Sequence, residues 1–263
     1  MRWLRVLLAV AVVLQTAACG TGGAAQSASA TQSSAAGRLS GDLTVFAAAS
    51  LTDAFEALGS AFEADHPGVS VTFNFAGSQQ LATQIVEGAP ADVFASASGS
   101  QVDVVADADL LAGEPVEFAT NRLEIAVEPG NPKAVAGLSD LARGDVTVVL
   151  AAEEVPAGQY AREALDAAGV RVTPVSLETD VRAVLTKVAL GEADAGIVYA
   201  SDIIAAGDDV TGVEIADEEN VTATYPAAAI AGSPNPGAAQ AFLAHLTSHA
   251  GRATLEEFGF AAP

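Results

Sequence analysis

Leu43-Thr44-Val45-Phe46-Ala47-Ala48-Ala49-Ser50-Leu51-Thr52-Asp53-Ala54-Phe55 changes period in its middle. The residues up to Ala47 read as a short buried strand. From Leu51 onward, Leu51, Ala54, Phe55, Leu58 and Phe62 recur at helical spacing, so one face of the helix packs on a sheet. A strand that passes directly into a helix is the unit of an α/β fold, and here the unit repeats. Further strands are expected at 69–75, 92–95, 123–127, 146–150, 170–176 and 195–199. Helices are expected at 51–64, 79–87, 157–168, 181–190 and 237–249, with a last one near 252–258. Gly88-Ala89-Pro90, Gly169 and Gly191 supply the stops. The expected architecture is α/β with mostly parallel strands, and no solenoid repeat is present.

Four helix starts in this pattern share one chemistry. Ser50 and Ser78 each follow a strand and open a helix, Ser50 with Asp53 three residues on in capping-box spacing. Val155-Pro156-Ala157-Gly158 opens a third helix with proline where no intrahelical N–H is lost, and Thr179-Asp180-Val181 opens a fourth. In an open α/β sheet the strand carboxyl ends and helix amino ends share one edge, where ligands bind. Unpaired N–H groups and the positive end of the helix dipole favour an anion there. Taken singly, Ser50 and Ser78 are plain N-caps. Likewise Val181 alone is a core residue, and Tyr199 alone a core aromatic with its hydroxyl at the rim. Only their conjunction at one edge argues for an anion site.

At these residues the chain resembles the molybdate-binding proteins of bacterial molybdate ABC transporters. The resemblance is carried by Val45 through Ala54, by Gly77-Ser78 with Leu81 through Ile85, and by Gly88 through Phe94. It continues in Val155 through Ala161, Asp180-Val181-Arg182 and Gly191 through Tyr199. It implies a two-lobed periplasmic-binding-protein fold of type II, each lobe a mostly parallel sheet flanked by helices, closing over a tetrahedral oxyanion. It further implies that the hydroxyls of Ser50, Ser78 and Tyr199 and the backbone N–H groups of Ser50, Ser78, Ala157 and Val181 hold molybdate or tungstate. Gly77-Ser78-Gln79-Gln80 stands where that family has a serine-rich loop. The implied partners are the oxyanion and an ABC transporter permease, the chain itself being a monomer, with no resident cofactor and molybdenum present only as bound oxyanion. Lobe 1 is expected at 41–121 plus 223–263 and lobe 2 at 122–222, with 123–127 and 222–229 as the crossing strands.

The donor set fits such a ligand on chemical grounds. Sulfate, molybdate and tungstate carry no proton at neutral pH, so a site for them presents donors only, and the proposed contacts include no carboxylate. They include no Lys or Arg either, so neutral preorganised dipoles supply the attraction.

Ahead of the folded part, Arg2 and Arg5 flank an apolar run at 6–14, and Thr16-Ala17-Ala18 leads into Cys19-Gly20. The run is too short for a membrane span, which takes about 20 apolar residues, and reads as a signal peptide at 1–18. Its end resembles a bacterial lipobox, which makes Cys19 the lipidated first residue of an exported protein anchored on the extracytoplasmic face of the cell membrane. Residues 19–40, mostly Gly, Ala, Ser, Thr and Gln, then form a flexible tether.

The chain has 263 residues, of which 51% are hydrophobic and 17% charged, enough for a large core. Eleven basic against 33 acidic residues give a net charge of −22, which disfavours nucleic acid and anionic membrane surfaces as partners. Loss of Arg2 and Arg5 with the signal takes −22 to −24. One cysteine excludes an internal disulfide framework and any multi-cysteine metal site. An exported hydrolase is the rival from another class, but no Gly-x-Ser-x-Gly elbow is present. His245 and His249 are spaced i, i+4 as on a zinc-protease helix, with Leu246 in place of the required glutamate. A binding protein for another tetrahedral oxyanion such as sulfate is the closer alternative. Phosphate fits less well because its retained proton asks for an acceptor.

Overall fold

The computed structural model describes residues 38–263; Cys19, the segment 1–18 and most of 19–40 lie outside the described residues. Strand β1 (Gly41–Ala48) passes through a 3₁₀ turn at Ala49–Leu51 into α1 (Thr52–Asp65). The next units are β2 (Val69–Ala76) with α2 (Ser78–Val86), and β3 (Val93–Ala95) with α3 (Gly99–Asp107). After the long strand β4 (Val116–Val127) come β5 (Val148–Ala151), α4 (Pro156–Ala167), β6 (Ser176–Glu178) and α5 (Val181–Ala189). The chain closes with β7 (Ala195–Tyr199), α6 (Ala200–Ala206), β8 (Thr211–Glu214), β9 (Thr222–Ala229), α7 (Pro236–Leu246) and α8 (His249–Glu257).

The strands lie in the order β2-β1-β3-β9-β4-β7-β5-β6, with β8 also on β4. Pairs β1–β2, β1–β3, β5–β6 and β5–β7 are parallel, as strand–helix units require. Every antiparallel pair involves β4 or β9. β4 changes partner along its length: Val116 to Arg122 pair with β9, whereas Leu123 to Val127 pair with β7. One strand therefore belongs to both halves of the sheet. Helix α1 covers the first half through Phe55 and Phe62, both fully buried and packed edge-on against Phe242 at 6.0 and 5.3 Å. Burying such a side chain stabilises the fold by about 1.5–3 kcal/mol.

Three local expectations are corrected. No strand forms over most of 170–176; only Ser176–Glu178 joins the ladder, beside β5, because β5 begins at Val148 and offers the residues before 175 no strand to pair with. Ser50 and Ser78 do not cap their helices. Ser50 lies inside the 3₁₀ turn, Gly77 is the cap of α2, and no capping box forms at Asp53. His245 and His249 do not share a helix, since the chain breaks at Thr247-Ser248 and the Ser248 side chain accepts from the Gly251 N–H to start α8. Among the described residues no three His, Cys, Asp or Glu side chains group to hold a metal, and no helix is long and apolar enough to cross a membrane.

Helix α4 approaches the end of β5 so closely that a Cβ on Gly158 would sit 2.5 Å from the Ala151 carbonyl oxygen and nearer still to that of Ala152. Both obstacles are backbone and cannot rotate away. Gly158→Ala is expected to lift the first turn of α4 and lower stability by about 1–3 kcal/mol, read as a lower midpoint of thermal unfolding. An alanine variant that melts with the wild type would mean that α4 shifts without cost.

Candidate functional site

The ends of β1, β2, β5, β6 and β7 deliver Ser50, Ser78, Ala157, Val181 and Tyr199 to a single cleft, lined also by Gly77, Ala97, Pro156 and Asp180. All five residues singled out in the sequence meet there, although they come from both halves of the sheet. Ser78 and Val181 are the first residues of α2 and α5, and Ala157 is the second of α4. Their N–H groups lie in first turns, where the helix itself offers no acceptor. Asp180 caps α5 by accepting from the Ala183 N–H at 2.9 Å, so the one carboxylate at the cleft wall is engaged with its own helix. Cys19 lies outside the described residues.

The three hydroxyls are buried but differently engaged. Ser50 Oγ lies 3.0 Å from the Tyr225 hydroxyl, and Ser78 Oγ accepts from the Ala97 N–H at 3.1 Å. Tyr199, 1% exposed, has a hydroxyl without any hydrogen-bond partner, although the Tyr225 ring is its neighbour at 5.9 Å. A buried hydroxyl left without a partner is costly, and one at a cleft wall marks a place for a ligand acceptor. Burial, reinforced by Tyr225, pushes the Tyr199 phenol well above its usual value, so it stays a neutral O–H donor.

Two contacts span the cleft. Gln79 Nε2 donates to the Thr179 carbonyl at 2.8 Å, and that carbonyl comes within 2.6 Å of where a Cβ on Gly77 would stand, so only glycine admits the approach. On the other side Arg182 Nη2 meets Asp53 Oδ2 at 2.6 Å. The same guanidinium places Nε 2.8 Å from Oδ1 of Asp202, which is wholly buried. The Nε–H direction misses that oxygen, so the contact is one of charge rather than a hydrogen bond. Asp202 Oδ2 accepts the Tyr199 N–H at 3.0 Å and so anchors the strand end that carries the unpartnered hydroxyl. Burial raises the Asp202 carboxyl to about 6 against the opposing pull of Arg182. Sequence reasoning did not single out Tyr225, Asp202 or the role of Arg182. The one local signal was Asp202 three residues after Tyr199, a spacing at which a carboxylate can reach back to a helix start.

A family model described as bacterial extracellular solute-binding protein matches residues 43–261. The chain belongs to that family. Among relatives of this solute-binding protein, the molybdate-binding protein of Mycobacterium tuberculosis is 43% identical over 268 aligned positions, covering 100% of both chains. The solved periplasmic molybdate-binding protein of Azotobacter vinelandii superposes with a TM-score of 0.73 at 20% identity, over 84% of this chain and 99% of that one. The sulfate-binding protein SubI of Mycobacterium tuberculosis also gives 0.73 at 20% identity, over 84% and 86%. These two structures establish the solute-binding fold of the chain, and the ligand has to be argued from the cleft.

Proposed function

We propose that this chain is an extracytoplasmic solute-binding lipoprotein that takes up molybdate, and tungstate with it, and hands it to an ABC transporter permease. The observation that carries the reading is the convergence of donors in one cleft: Ser50, Ser78, Ala157, Val181 and Tyr199 meet there, the one carboxylate at its wall, Asp180, is engaged in capping α5, and the Tyr199 hydroxyl has no partner within the fold. The 43% identity with a molybdate-binding protein over the full chain supports the choice of ligand. In this reading the hydroxyls of Ser50, Ser78 and Tyr199 and the N–H groups of Ser50, Ser78, Ala157 and Val181 surround the oxyanion. No resident cofactor and no cation are needed. Lobe 1 comprises 41–121 with 223–263 and lobe 2 comprises 122–222, a division supported by the change of partner along β4. The protein works as a monomer, with residues 1–18 removed on export and Cys19 lipidated.

Binding to the folded state alone raises stability by mass action, about 2.7 kcal/mol at a hundred times Kd. The midpoint of thermal unfolding should then rise by roughly 5–10 °C in molybdate. Sulfate is smaller and leaves some donors beyond reach, each costing about 1–3 kcal/mol, so an equal concentration should give a clearly smaller shift. Absence of any shift with molybdate would overturn the assignment, and equal shifts would make the protein a general oxyanion binder.

A further inference from the structure

Each of the two contacts across the cleft joins sequence neighbours of the residues that converge there. Gln79 follows Ser78, and Thr179 stands two residues before Val181; Arg182 follows Val181, and Asp53 stands three residues after Ser50. The Gln79–Thr179 and Arg182–Asp53 contacts therefore flank the cleft, and its walls cannot part without breaking both.

The two contacts are unequal. Gln79 Nε2 reaches the Thr179 carbonyl, but Oε1 of the same amide is buried without a partner, and that cost offsets most of what a neutral hydrogen bond contributes. Between Arg182 and Asp53 the hydrogen bond is charge-assisted at both ends, which is the stronger kind. An exposed ion pair usually loses much of its effect in ordering two long side chains. Here the guanidinium already stands against the buried Asp202, and aspartate is short, so little ordering remains.

Arg182 and Asp202 belong to lobe 2 and Asp53 to lobe 1. A closed cleft brings Asp53 to a cation that stands ready, and an open one leaves Arg182 with Asp202 alone. An interaction present only in the closed state shifts the balance toward closure and slows opening, while encounter with the open state goes on as before. Asp53 is not among the residues that line the cleft.

We propose that Asp53 is a positioning residue that sets how long the anion is held: its bond to Arg182 latches the lobes over the cleft, so that its loss speeds release and leaves capture unchanged. The proposal rests on the reading that the cleft takes molybdate between two lobes. It assigns retention to an ion pair that does not touch the ligand, and it makes the Gln79 bridge the minor partner.

The test loads the folded chain with isotopically labelled sodium molybdate and chases it with excess unlabelled molybdate. Calorimetry supplies Kd, so the association rate follows from the two. Asp53→Asn is expected to release molybdate about three- to tenfold faster, between the effect of an exposed ion pair and that of a charged hydrogen bond. Its association rate should stay within about twofold of wild type, and Gln79→Ala should stay within about twofold in both rates. Raising NaCl from about 0.05 to about 0.5 M should narrow the ratio of the Asp53→Asn to the wild-type release rate, because a partly exposed pair is screened whereas competition by chloride acts on both proteins alike. In a chain carrying Arg182→Leu with Asp202→Asn, which removes the cation and the buried charge together, Asp53→Asn should change release by less than about 1.5-fold. An effect that persists there, or that salt does not narrow, means that Asp53 acts on the start of α1 and overturns the proposal. A wild-type release rate in Asp53→Asn, or an affinity loss carried by slower association, also overturns it, and all of these outcomes leave the molybdate reading intact. A wild type that binds no molybdate overturns that reading and the latch with it.

Discussion

Arg182→Leu should lower the stability of the ligand-free protein by about 2–3 kcal/mol at pH 8 and by much less at pH 5. Arg182 is the cation paired with Asp202, whose side chain is wholly buried. Removing one member of a buried pair leaves an uncompensated charge and typically costs about 3–5 kcal/mol. The Arg182 side chain is 26% exposed, and its second partner Asp53 is 42% exposed. Solvent already screens part of the interaction, which places the expectation at or below the lower end of that range.

The pH dependence follows from the sign of the Asp202 shift. Its carboxyl titrates at about 6 in the folded protein against 3.8 for an ordinary aspartate, with burial raising it and Arg182 opposing the rise. Folding therefore takes up a proton between those values, and Asp202 makes stability fall as pH rises through that window. Without Arg182 the folded value moves higher, and the falling limb extends past neutrality. The deficit of Arg182→Leu against wild type should thus widen from pH 5 to pH 8. Adding Asp202→Asn should restore most of it, because asparagine can still accept the Tyr199 N–H without carrying a charge. Urea unfolding at the two pH values checks this. A deficit independent of pH, or one that Asp202→Asn does not relieve, would mean that Arg182 acts through packing and not through charge.

What the sequence made legible was local. The change of period between Ala47 and Leu51 is written in neighbouring residues, as are Pro156 at a helix start and Asp180 before α5, and these signals place four helix ends on one sheet edge. The first half of β4 was not legible. Glu117, Thr120, Asn121 and Arg122 interrupt any apolar run there, and the strand exists because β9 pairs with it from far along the chain. The opposite error occurred at 170–176, where Val170, Val172 and Val175 suggest a strand that forms no ladder, since pairing needs a neighbour as well as a propensity. Helix α3 was hidden by Gly99 and Ser100 at its start, residues that more often mark loops. The five cleft residues could be named because each stands at a recognisable strand or helix end, and the resemblance to a known family joined them. Tyr225 and Asp202 could not, because their roles depend on partners 175 residues away in one case and on the burial of a charge in the other.

Tyr199→Phe should weaken molybdate binding by roughly ten- to 150-fold while leaving the ligand-free protein nearly as stable as wild type. The hydroxyl is neutral, because burial drives its acidity down, and it has no partner inside the fold. A hydrogen bond from such a donor to a charged oxygen contributes about 1.5–3 kcal/mol, which is the stated range of affinity. Phenylalanine keeps the ring in place against Tyr225 and leaves the backbone N–H of residue 199 bonded to Asp202, so strand β7 and the start of α6 should be undisturbed. If anything the free variant gains, because a buried hydroxyl without an acceptor is a penalty that phenylalanine does not carry. A tyrosine that served only the core would behave in the opposite way, with a lower unfolding midpoint and normal affinity. Calorimetry with molybdate and a thermal melt of the ligand-free variant separate the two cases, and unchanged affinity would remove Tyr199 from the ligand's surroundings.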